Sequence, residues 1–563
     1  MSTKNTGGPE RTGAQILVSC LDNMGVEVVF GYPGGTVIPL YDAVYDAGFK
    51  HILTRHEQGA AHAADGYARA TGRVGVVFAT SGPGATNIVT GIATANMDSV
   101  PMVAVTGQVA TTAIGNDTFQ EADIYGISIP ITKYNYLVKQ ADQLPQVLAE
   151  AFYLAGSGRQ GPILVDVPKD IQTALLPPPA VEPVMIPGYN PRPEIDPGQI
   201  EALADALAQS QRPVAYLGGG VTASGAEEEL FRFLTESDIP ATSTLMGKGS
   251  FPDDHPLALG FPGMHGFKST NLAIYNADLI LCLGARFDDR VAGNVRRFAP
   301  QAKVVHVDID PAEIGKRVDT HIPVVGDLKD VLTSVLKIIK PSSRPQWRAF
   351  IQELKEKYPL VIPEDSDEVK PQAVIKKLSD ITNGEAIIVT DVGQHQMWAA
   401  QLIVSKKPRR FLSSGGLGTM GYGLPAAMGA QIGRPDLPVV LICGDGGFQM
   451  NIQELATIRE HNLPVKIVLL NNSCLGMVRQ WQQFFFQKRY SATVWGFMPD
   501  FVKIAEGYDI AARRVTDPKE VEGALKNMLE TPGPQLVEFK TTFEENVLPM
   551  IPSGGGQTEF YGD

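Results

Sequence analysis

The sequence predicts an α/β protein of three domains, each with a mainly parallel sheet flanked by helices. Short apolar runs such as GVVFATSGPG, PVAYLGGG and PVVLICGDGG recur along the chain, with helical spacing between them. This alternation is typical of βαβ units, whose strands run parallel. The length of 563 residues also exceeds what a single hydrophobic core supports.

The domain limits are predicted from the places where this alternation stops. LLPPPAVEPVMIPGYNPRPEIDP (176–197) is dense in proline, and KPSSRP (340–345) interrupts the second series of strands. Both stretches are typical of linkers. The expected units are an N-terminal domain over 10–180, a central domain over 195–340, a C-terminal domain over 370–545, and a Gly- and Pro-rich tail or flap over 546–563.

Composition excludes several broad classes of function. The chain has 48 Lys and Arg against 61 Asp and Glu, a net charge of −13, which argues against nucleic-acid binding as the main role. No apolar run reaches the ~18 residues that a membrane helix needs. The four cysteines form no C-x-x-C pair, and MSTKNTGGPERTG lacks the pattern of a signal or transit peptide. We therefore expect a cytoplasmic protein without disulfides and without nucleic-acid or membrane partners.

The clearest chemistry lies in PVVLICGDGGFQMNIQELATIREHNLPVKIVLLNNSCLG, a strand–helix–strand pattern. Asp445 and Asn472 follow its two strands, so both leave the sheet at the edge where open α/β sheets bind ligands. A carboxylate, an amide oxygen and a nearby backbone carbonyl suit Mg²⁺ or Ca²⁺. One protein charge under-neutralises a divalent ion, so diphosphate oxygens are the expected further ligands, which Gly444, Gly446 and Gly447 let the backbone approach. The alternative is a tight turn with Asp445 as a helix cap.

Glu57 is the other notable carboxylate, because it opens the predicted helix EQGAAHAADGYARA after the predicted strand HILTR. One explanation is compensation of the helix dipole. A zinc site with His56 and His62 fails, because these residues are six apart and do not share a helix face. The third explanation is proton chemistry: the small residues 59–61 would let a flat ring cover the carboxyl, which could then share a proton with a ring nitrogen.

Glu57 combined with the GDG…NN spacing resembles the thiamin-diphosphate (ThDP) enzymes. The resemblance implies that the N-terminal domain binds the pyrimidine ring and that the C-terminal domain binds the diphosphate through Mg²⁺. It also implies that a glutamate of the partner subunit contacts the aminopyrimidine. Glu57 would then be the activating acid–base, and Asp445, Asn472 and the backbone oxygen of Cys474 would hold the metal.

Longer stretches resemble one branch of this family, the catalytic subunits of acetohydroxyacid synthase (acetolactate synthase). They include GYPGGTVIPLYD, RHEQGAAHAADGYARATG, TSGPGATN, GGLGTMGYGLPAA and NNSCLGMVRQWQ. The resemblance implies a transferase that decarboxylates pyruvate and joins the two-carbon unit to pyruvate or 2-ketobutyrate. The products, 2-acetolactate and 2-aceto-2-hydroxybutyrate, lead to the branched-chain amino acids isoleucine and valine. It also implies a homodimer or homotetramer with intersubunit active sites, and a separate small regulatory subunit.

The resemblance assigns roles around the ThDP cofactor. The amide of Gly35 and the side chain of Gln120 would face the reacting substrate oxygen, where developing negative charge needs donors. Met420 would bend the cofactor so that its two rings meet. The further expected ThDP contacts are Gly393, Gln394, His395, Gly418, Gly444, Gly446, Gly447 and Met477. The expected substrate contacts are Phe119, Lys169, Trp481 and Arg290, the last pairing with the carboxylate of the second keto acid.

The central block carries Gly-rich and acidic loops after its predicted strands, such as YLGGG and GARFDDR. Such loops suit a nucleotide, but without G-x-G-x-x-G the spacing alone is weak evidence. The resemblance implies FAD here, and the RFDDR motif is not expected in flavin-free acetolactate synthases. The expected FAD contacts are Gly218, Gly219, Gly220, Met264, His265, Arg286, Asp288, Asp308 and Asp327.

Each assignment has a structural alternative. Met477 and Trp481 are four apart, which is common where a helix packs on a core. Phe119 could be a core residue, Lys169 a solvated charge, and Arg290 a member of a surface salt bridge. Alternative functions are another ThDP–FAD enzyme, such as pyruvate oxidase or glyoxylate carboligase, and a non-catalytic nucleotide-binding protein.

Overall fold

The computed structural model describes residues 10–177, 183–363 and 366–561, and its strands form three six-stranded sheets plus one two-stranded pair. Neighbouring strands within each six-stranded sheet run parallel. The predicted fold class is therefore confirmed. Residues 178–182 of the predicted proline-rich linker lie outside the described part of the chain.

The first sheet lies in the N-terminal part of the chain and has the strand order β3-β2-β4-β5-β7-β6. Short β1 and β8 pair with each other in antiparallel fashion. The strands are β1 (Arg11–Thr12), β2 (Val28–Gly31), β3 (Lys50–Leu53), β4 (Gly75–Ala79), β5 (Met102–Gln108), β6 (Tyr134–Leu137), β7 (Pro162–Pro168) and β8 (Leu175–Leu176). The helices are α1 (Gly13–Asn23), α2 (Ile38–Val44), α3 (Glu57–Thr71), α4 (Pro83–Asn87), α5 (Val89–Met97), α6 (Ile124–Ser128), α7 (Leu144–Gly156) and α8 (Lys169–Thr173).

The second sheet has the strand order β11-β10-β9-β12-β13-β14. Its strands are β9 (Pro213–Leu217), β10 (Ala241–Ser243), β11 (Ala258–Gly260), β12 (Leu279–Leu283), β13 (Lys303–Asp308) and β14 (Ile322–Val325). The helices are α9 (Pro197–Gln209), α10 (Gly220–Ser224), α11 (Glu227–Glu236), α12 (Lys268–Asn276), α13 (Asp289–Ala292), α14 (Leu328–Val335) and α15 (Pro345–Lys357).

The third sheet has the strand order β16-β15-β17-β18-β20-β19. Its strands are β15 (Ile387–Thr390), β16 (Phe411–Leu412), β17 (Val439–Gly444), β18 (Lys466–Asn471), β19 (Ala511–Val515) and β20 (Gln535–Lys540). The helices are α16 (Pro371–Thr382), α17 (Gln394–Leu402), α18 (Gly423–Gly433), α19 (Asp445–Met450), α20 (Leu455–Glu460), α21 (Gly476–Phe485), α22 (Phe501–Gly507) and α23 (Val521–Glu530).

The strands of the first and third sheets carry apolar side chains on both faces, because helices cover both sides of each sheet. Every residue of β4, β5 and β18 is buried. One continuous hydrophobic core joins these two sheets through α3 and α18. The strand–helix–strand unit around Asp445 differs from the prediction in its helix. Residues 445–450 already form α19, and the helical part of NIQELATIREHN is shortened to a 3₁₀ turn (Ile452–Glu454) followed by α20.

The segment 546–561 lies against the central and C-terminal parts of the chain. Val547, Met550 and Ile551 are buried. The Ile551 amide donates to the carbonyl of Met264 at 2.8 Å, and the Asn294 amide donates to the carbonyl of Gly555 at 3.1 Å. This segment therefore packs across the central and C-terminal parts of the chain. The last two residues of the predicted tail, 562–563, lie outside the described part. The domain limits stay a prediction.

Helices α3 and α18 touch through their backbones. A methyl group on Gly66 would overlap the carbonyl of Ala426, and one on Gly429 would overlap the carbonyl of Ala63. These contacts involve backbone atoms, which cannot move aside cheaply. The glycines therefore set how closely the N-terminal and C-terminal sheets approach each other.

Gly66→Ala is expected to destabilise the protein by about 1–3 kcal/mol, the usual cost of overpacking a core. Gly523→Ala, in α23, is the matched control because a methyl group there meets no atom within 4 Å. That control should be neutral or gain up to about 1 kcal/mol from the higher helix propensity of alanine. Thermal unfolding of the two variants checks this, and equal stabilities would contradict the assigned role of Gly66.

Candidate functional site

The carboxyl ends of β15, β17 and β18 meet at one edge of the third sheet. They enclose a cavity of about 70 Å³. The predicted residues that line it are Gly393, Gln394, His395, Met420, Gly444, Asp445, Gly446, Gly447, Asn472, Cys474 and Met477. The structure thus brings the expected metal ligands and most expected diphosphate contacts together, although they come from distant parts of the sequence.

Asp445 is the buried carboxylate of this cavity and is only 1% exposed. Its Oδ1 accepts the Gly446 amide at 2.8 Å, whereas its Oδ2 has no hydrogen-bond partner among the described residues. Burial raises the pKa of this carboxyl to about 7. A buried carboxylate oxygen without a partner is costly unless a cation or donor meets it. The site therefore fits a bound cation.

Asn472 and His395 complete the polar wall. Asn472 Oδ1 accepts the Cys474 amide at 3.2 Å, and its Nδ2 donates to Gln394 Oε1 at 3.4 Å. His395 is buried, its Nε2 lacks a partner within the described part of the chain, and burial lowers its pKa to about 4. The imidazole is therefore neutral at pH 7, so it can meet a ligand oxygen only by hydrogen bonding and adds no charge.

The glycines around Asp445 have a second role, within the chain, that the sequence did not indicate. Added methyl groups on Gly444, Gly446 and Gly447 would meet His395, Leu475 and Asp391, respectively. The missing side chains thus make room for neighbours within the chain. Asp391 in turn accepts the amides of Gly421 and Gly423 at 2.8–3.1 Å, so Gly447 allows a carboxylate that organises the turn after Met420.

A second group of predicted residues lies at the carboxyl edge of the first sheet. Gly35 follows β2, Glu57 follows β3, Gln120 and Phe119 follow β5, and Lys169 follows β7. Phe119 is 87% exposed, so the alternative that it is a core residue is wrong. Lys169 is also exposed. None of the five lines the cavity at the edge of the third sheet or the larger cavity described below. All five lie toward the carboxyl edge of the first sheet, outside the cavity at the edge of the third sheet.

Glu57 is half-buried and has one specific partner. Asn87 Nδ2 donates to Glu57 Oε2 at 2.9 Å, and Gly84 leaves room for Glu57 Oε1. Asn87 belongs to TSGPGATN, a stretch that carried the family resemblance but had no assigned role. The structure confirms the predicted helix that begins at Glu57. This geometry fixes one carboxylate oxygen and leaves the other beside a glycine.

The small residues after Glu57 do not have the predicted role. Ala60 and Ala61 are fully buried inside the chain. A methyl group on Gly59 would overlap the carboxylate of Glu454, which accepts the Arg55 amide at 2.9 Å. Gly59 thus makes room for the side chain of Glu454, and Ala61 packs against Gly91 of α5. Glu454 holds the backbone just before Glu57, and no sequence motif pointed to it.

Burial raises the pKa of Glu454 from 4.5 to about 7. The folded protein thus binds this proton more tightly than the unfolded chain, so the stabilisation is complete below pH 4.5 and is lost as pH rises through 7. Glu454→Gln removes the titration. Between pH 5 and 8 the unfolding free energy of the variant is expected to rise relative to wild type by up to about 3 kcal/mol. Denaturant unfolding at both pH values checks this, and a constant difference would contradict it.

A cavity of about 900 Å³ lies where the three sheets meet. All nine residues expected to contact FAD line it: Gly218, Gly219, Gly220, Met264, His265, Arg286, Asp288, Asp308 and Asp327. Gly220 and Gly284 touch through their backbones, which joins the loops after β9 and β12. Burial raises the pKa of Asp308 to about 6. Asp288 and Asp327 also cap α13 and α14, so both have structural roles as well.

The two cavities share part of their walls. Met420, Met477 and Gly393 line both, whereas Gly418 lines only the larger one. Arg290 and Trp481 also line the larger cavity, and the guanidinium of Arg290 lies 5.8 Å from the centre of the Trp481 ring. The predicted substrate contacts of the central and C-terminal parts are therefore neighbours.

Comparisons with known proteins identify the family. Three family models match: "Thiamine pyrophosphate enzyme, N-terminal TPP binding domain" over residues 11–127, "central domain" over 200–335, and "C-terminal TPP binding domain" over 391–539. The chain is 49% identical to the probable acetolactate synthase large subunit of Methanocaldococcus jannaschii, covering 97% of this chain and 94% of that protein. It belongs to the acetolactate synthase large-subunit family.

Other relatives agree across distant organisms. The chain is 48% identical to the acetolactate synthase isozyme 2 large subunit of Escherichia coli, with 97% of this chain and 98% of that protein covered. It is 50% identical to acetolactate synthase 1, chloroplastic, of Zea mays, with 97% and 88% covered. The predicted family, enzyme class and ThDP chemistry are confirmed, and the rival functions are not favoured.

The structure also places at the larger cavity two charged residues to which the sequence analysis gave no role. Arg159 lines the larger cavity and pairs with Asp310 at 3.0 Å and Glu313 at 2.7 Å. Asp98 lines it as well. Neither lies in a motif typical of nucleotide binding.

Within the described ranges, the helices lack the length and apolar character that a membrane crossing requires.

Proposed function

We propose that the chain is the catalytic subunit of an acetohydroxyacid synthase that uses ThDP and Mg²⁺. The observation that carries the proposal is the buried Asp445 carboxylate with its unpaired Oδ2, beside Asn472 and His395, in a family with two TPP-binding domains. When bound, ThDP supplies the electron sink for decarboxylating a 2-keto acid and for joining the two-carbon unit to a second one.

The residues at the third sheet edge hold the metal and the diphosphate. Asp445 Oδ2, Asn472 Oδ1 and the backbone oxygen of Cys474 are the proposed metal ligands, a hard-oxygen set that suits Mg²⁺. His395 and Gln394 contact the diphosphate. The single carboxylate leaves positive charge on the metal for the diphosphate oxygens to neutralise.

Glu57 holds and moves the proton that activates the cofactor ring. It and the other residues of the first sheet edge lie outside the two cavities described above. This separation supports an active site completed by a second copy of the chain, so the protein acts as a homodimer or a homotetramer. The Gly35 amide and the Gln120 side chain then donate to the substrate oxygen on which negative charge develops.

The larger cavity binds FAD. Its volume, the backbone contact between Gly220 and Gly284, and the charge of Arg286 support a dinucleotide. His265 Nδ1 is buried and unpaired among the described residues, and burial lowers the pKa of this imidazole to about 4. His265 therefore offers a neutral hydrogen-bonding group to the flavin.

Pyruvate is the first substrate, and pyruvate or 2-ketobutyrate is the second. Arg290 binds the carboxylate of the second keto acid, and Trp481 packs against its alkyl group. Phe119, Lys169 and Met477 line the approach. The name "large subunit" of the relatives supports a small regulatory subunit as partner.

The direct test is to incubate the purified protein with pyruvate, ThDP, Mg²⁺ and FAD and to measure both acetolactate and hydrogen peroxide. We expect acetolactate without stoichiometric peroxide. Peroxide and acetyl products would indicate a pyruvate oxidase instead. A second arm with glyoxylate tests the carboligase alternative, for which tartronate semialdehyde would be the product.

A further inference from the structure

The segment 413–420, SSGGLGTM, forms a wall between the two cavities. Ser414, Gly415, Gly416 and Gly418 line the larger cavity, and Met420 lines both. Although the segment follows β16 of the third sheet, much of its support comes from helices of the N-terminal part of the chain. Its position therefore depends on contacts between the two sheets.

Asp98 is the main anchor of this segment. It lies at the end of α5, and its side chain is fully buried. Its Oδ1 accepts the Gly416 amide at 2.7 Å, and its Oδ2 accepts the Gly415 amide at 3.0 Å. Gly416 can have no side chain here because a methyl group would crowd Asp98 and Met97. One carboxylate thus holds two consecutive backbone amides.

Arg69 orients Asp98 and adds a third anchor. Its guanidinium donates to Asp98 Oδ2 at 2.9 Å, to Asp65 Oδ1 at 2.5 Å, and to the carbonyl of Ser413 at 3.0 Å. Tyr422, just beyond the segment, donates to Asp65 Oδ1 at 2.8 Å. The Thr94 and Thr419 hydroxyls are 2.8 Å apart.

The charges explain why Asp98 and segment 413–420 stabilise each other. Arg69 carries one positive charge against two buried carboxylates, Asp65 and Asp98, so it cannot neutralise both. The two amides of 415 and 416 supply the remaining stabilisation for Asp98, as hydrogen bonds to a charged acceptor are stronger than neutral ones. Loss of Asp98 therefore releases the segment, and loss of the segment would leave a buried charge.

We propose that Asp98 is a positioning residue that fixes segment 413–420 and thereby couples the ThDP and FAD sites. We call the contacts of Asp98 with Gly415, Gly416 and Arg69 the clamp. The inference rests on the proposed function for its cofactor roles, but the clamp itself does not depend on that function. Because Arg69 lies on α3, which begins at Glu57, the clamp also ties the wall of both cavities to the helix that carries the proposed acid–base. Asp98 acts through the segment and touches neither substrate nor the ThDP ring.

Hydrogen exchange of the cofactor-free protein tests the clamp independently of catalysis. In Asp98→Asn, which keeps one acceptor, amides of residues 413–420 should exchange at least about 10-fold faster than in wild type, and in Asp98→Ala faster still. Asp278→Asn is the matched control: Asp278 accepts the Gln211 and Arg212 amides at 2.9–3.0 Å, away from both cavities. It should leave the 413–420 exchange unchanged.

Cofactor binding tests the coupling. ThDP and FAD titrations of Asp98→Asn should both give dissociation constants raised about 10-fold, whereas Asp278→Asn should match wild type. Thr94→Val, which removes a different anchor, should produce the same pattern more weakly and serves if the Asp98 variants do not fold. Unchanged exchange in 413–420, an equal effect in the control, or weakening of only one cofactor would overturn the inference. If neither cofactor binds the wild type, the proposed function fails while the exchange result still decides the clamp.

Discussion

Glu57→Gln is expected to lower the rate of acetolactate formation by roughly 100- to 10,000-fold, the usual contribution of a general acid–base residue. Glutamine has nearly the same size and still offers an oxygen to Asn87, so the hydrogen bond of 2.9 Å can persist. What it cannot do is exchange a proton with the cofactor ring. Steady-state assays with saturating ThDP, Mg²⁺ and FAD measure the loss.

Two measurements separate this loss from structural damage. Glu460→Gln removes a nearby exposed carboxylate that pairs with Arg55, and it should keep near wild-type activity. The unfolding temperature of Glu57→Gln and its affinity for ThDP should stay close to those of the wild type. Unchanged turnover in Glu57→Gln would remove the proton role assigned to this residue.

Asp445→Asn is expected to abolish activation by Mg²⁺ and to weaken ThDP binding by at least about 100-fold, because the protein loses the one anionic ligand that it is proposed to give the metal. The cofactor-free variant should be as stable as wild type at pH 8, or more stable. The wild-type carboxylate is buried, has an unpaired oxygen and has a pKa raised by burial to about 7, so its ionised form opposes folding.

An Asp445→Asn variant that binds ThDP more weakly but is no less stable without cofactor distinguishes a metal ligand from a helix cap. Loss of a cap would destabilise the cofactor-free protein by about 1 kcal/mol. Asp436→Asn is the control, because Asp436 is exposed, pairs with Arg434 and lies ahead of the same strand. Calorimetric titration with Mg²⁺ and ThDP, combined with unfolding at pH 8, measures both quantities. A destabilised Asp445→Asn variant with intact ThDP affinity would contradict the metal role.

The fold could be predicted because it depends on local patterns. Strands β17 and β18 are continuous apolar runs, and Glu57 begins a helix after a short strand, so each element was visible within about ten residues. The position of Asp445 and Asn472 at one edge followed from the parallel pairing of these strands. The resemblance to a known family supplied the residues of the larger cavity.

The predictions failed where distant contacts decide the structure. The small residues after Glu57 were predicted to admit a cofactor ring, but Gly59 admits Glu454, which lies almost 400 positions later and accepts the Arg55 amide. Gly444 and Gly447 also accommodate His395 and Asp391, contacts that the sequence did not indicate. Asp98 carries no motif, because its role arises only when α5 meets segment 413–420. Such roles are absent from local sequence and appear only in the folded chain.

In the proposed enzyme, Glu57 of one protomer serves the metal site of another, and mixing two inactive variants tests this arrangement directly. Glu57→Gln and Asp445→Asn each inactivate the enzyme alone. In a mixed dimer, the intact Glu57 of one chain meets the intact Asp445 of the other, which restores one active site. Coexpression with random pairing should therefore recover about a quarter of wild-type activity. Activity that stays at the level of the separate variants would show that Glu57 and Asp445 of different protomers do not share an active site.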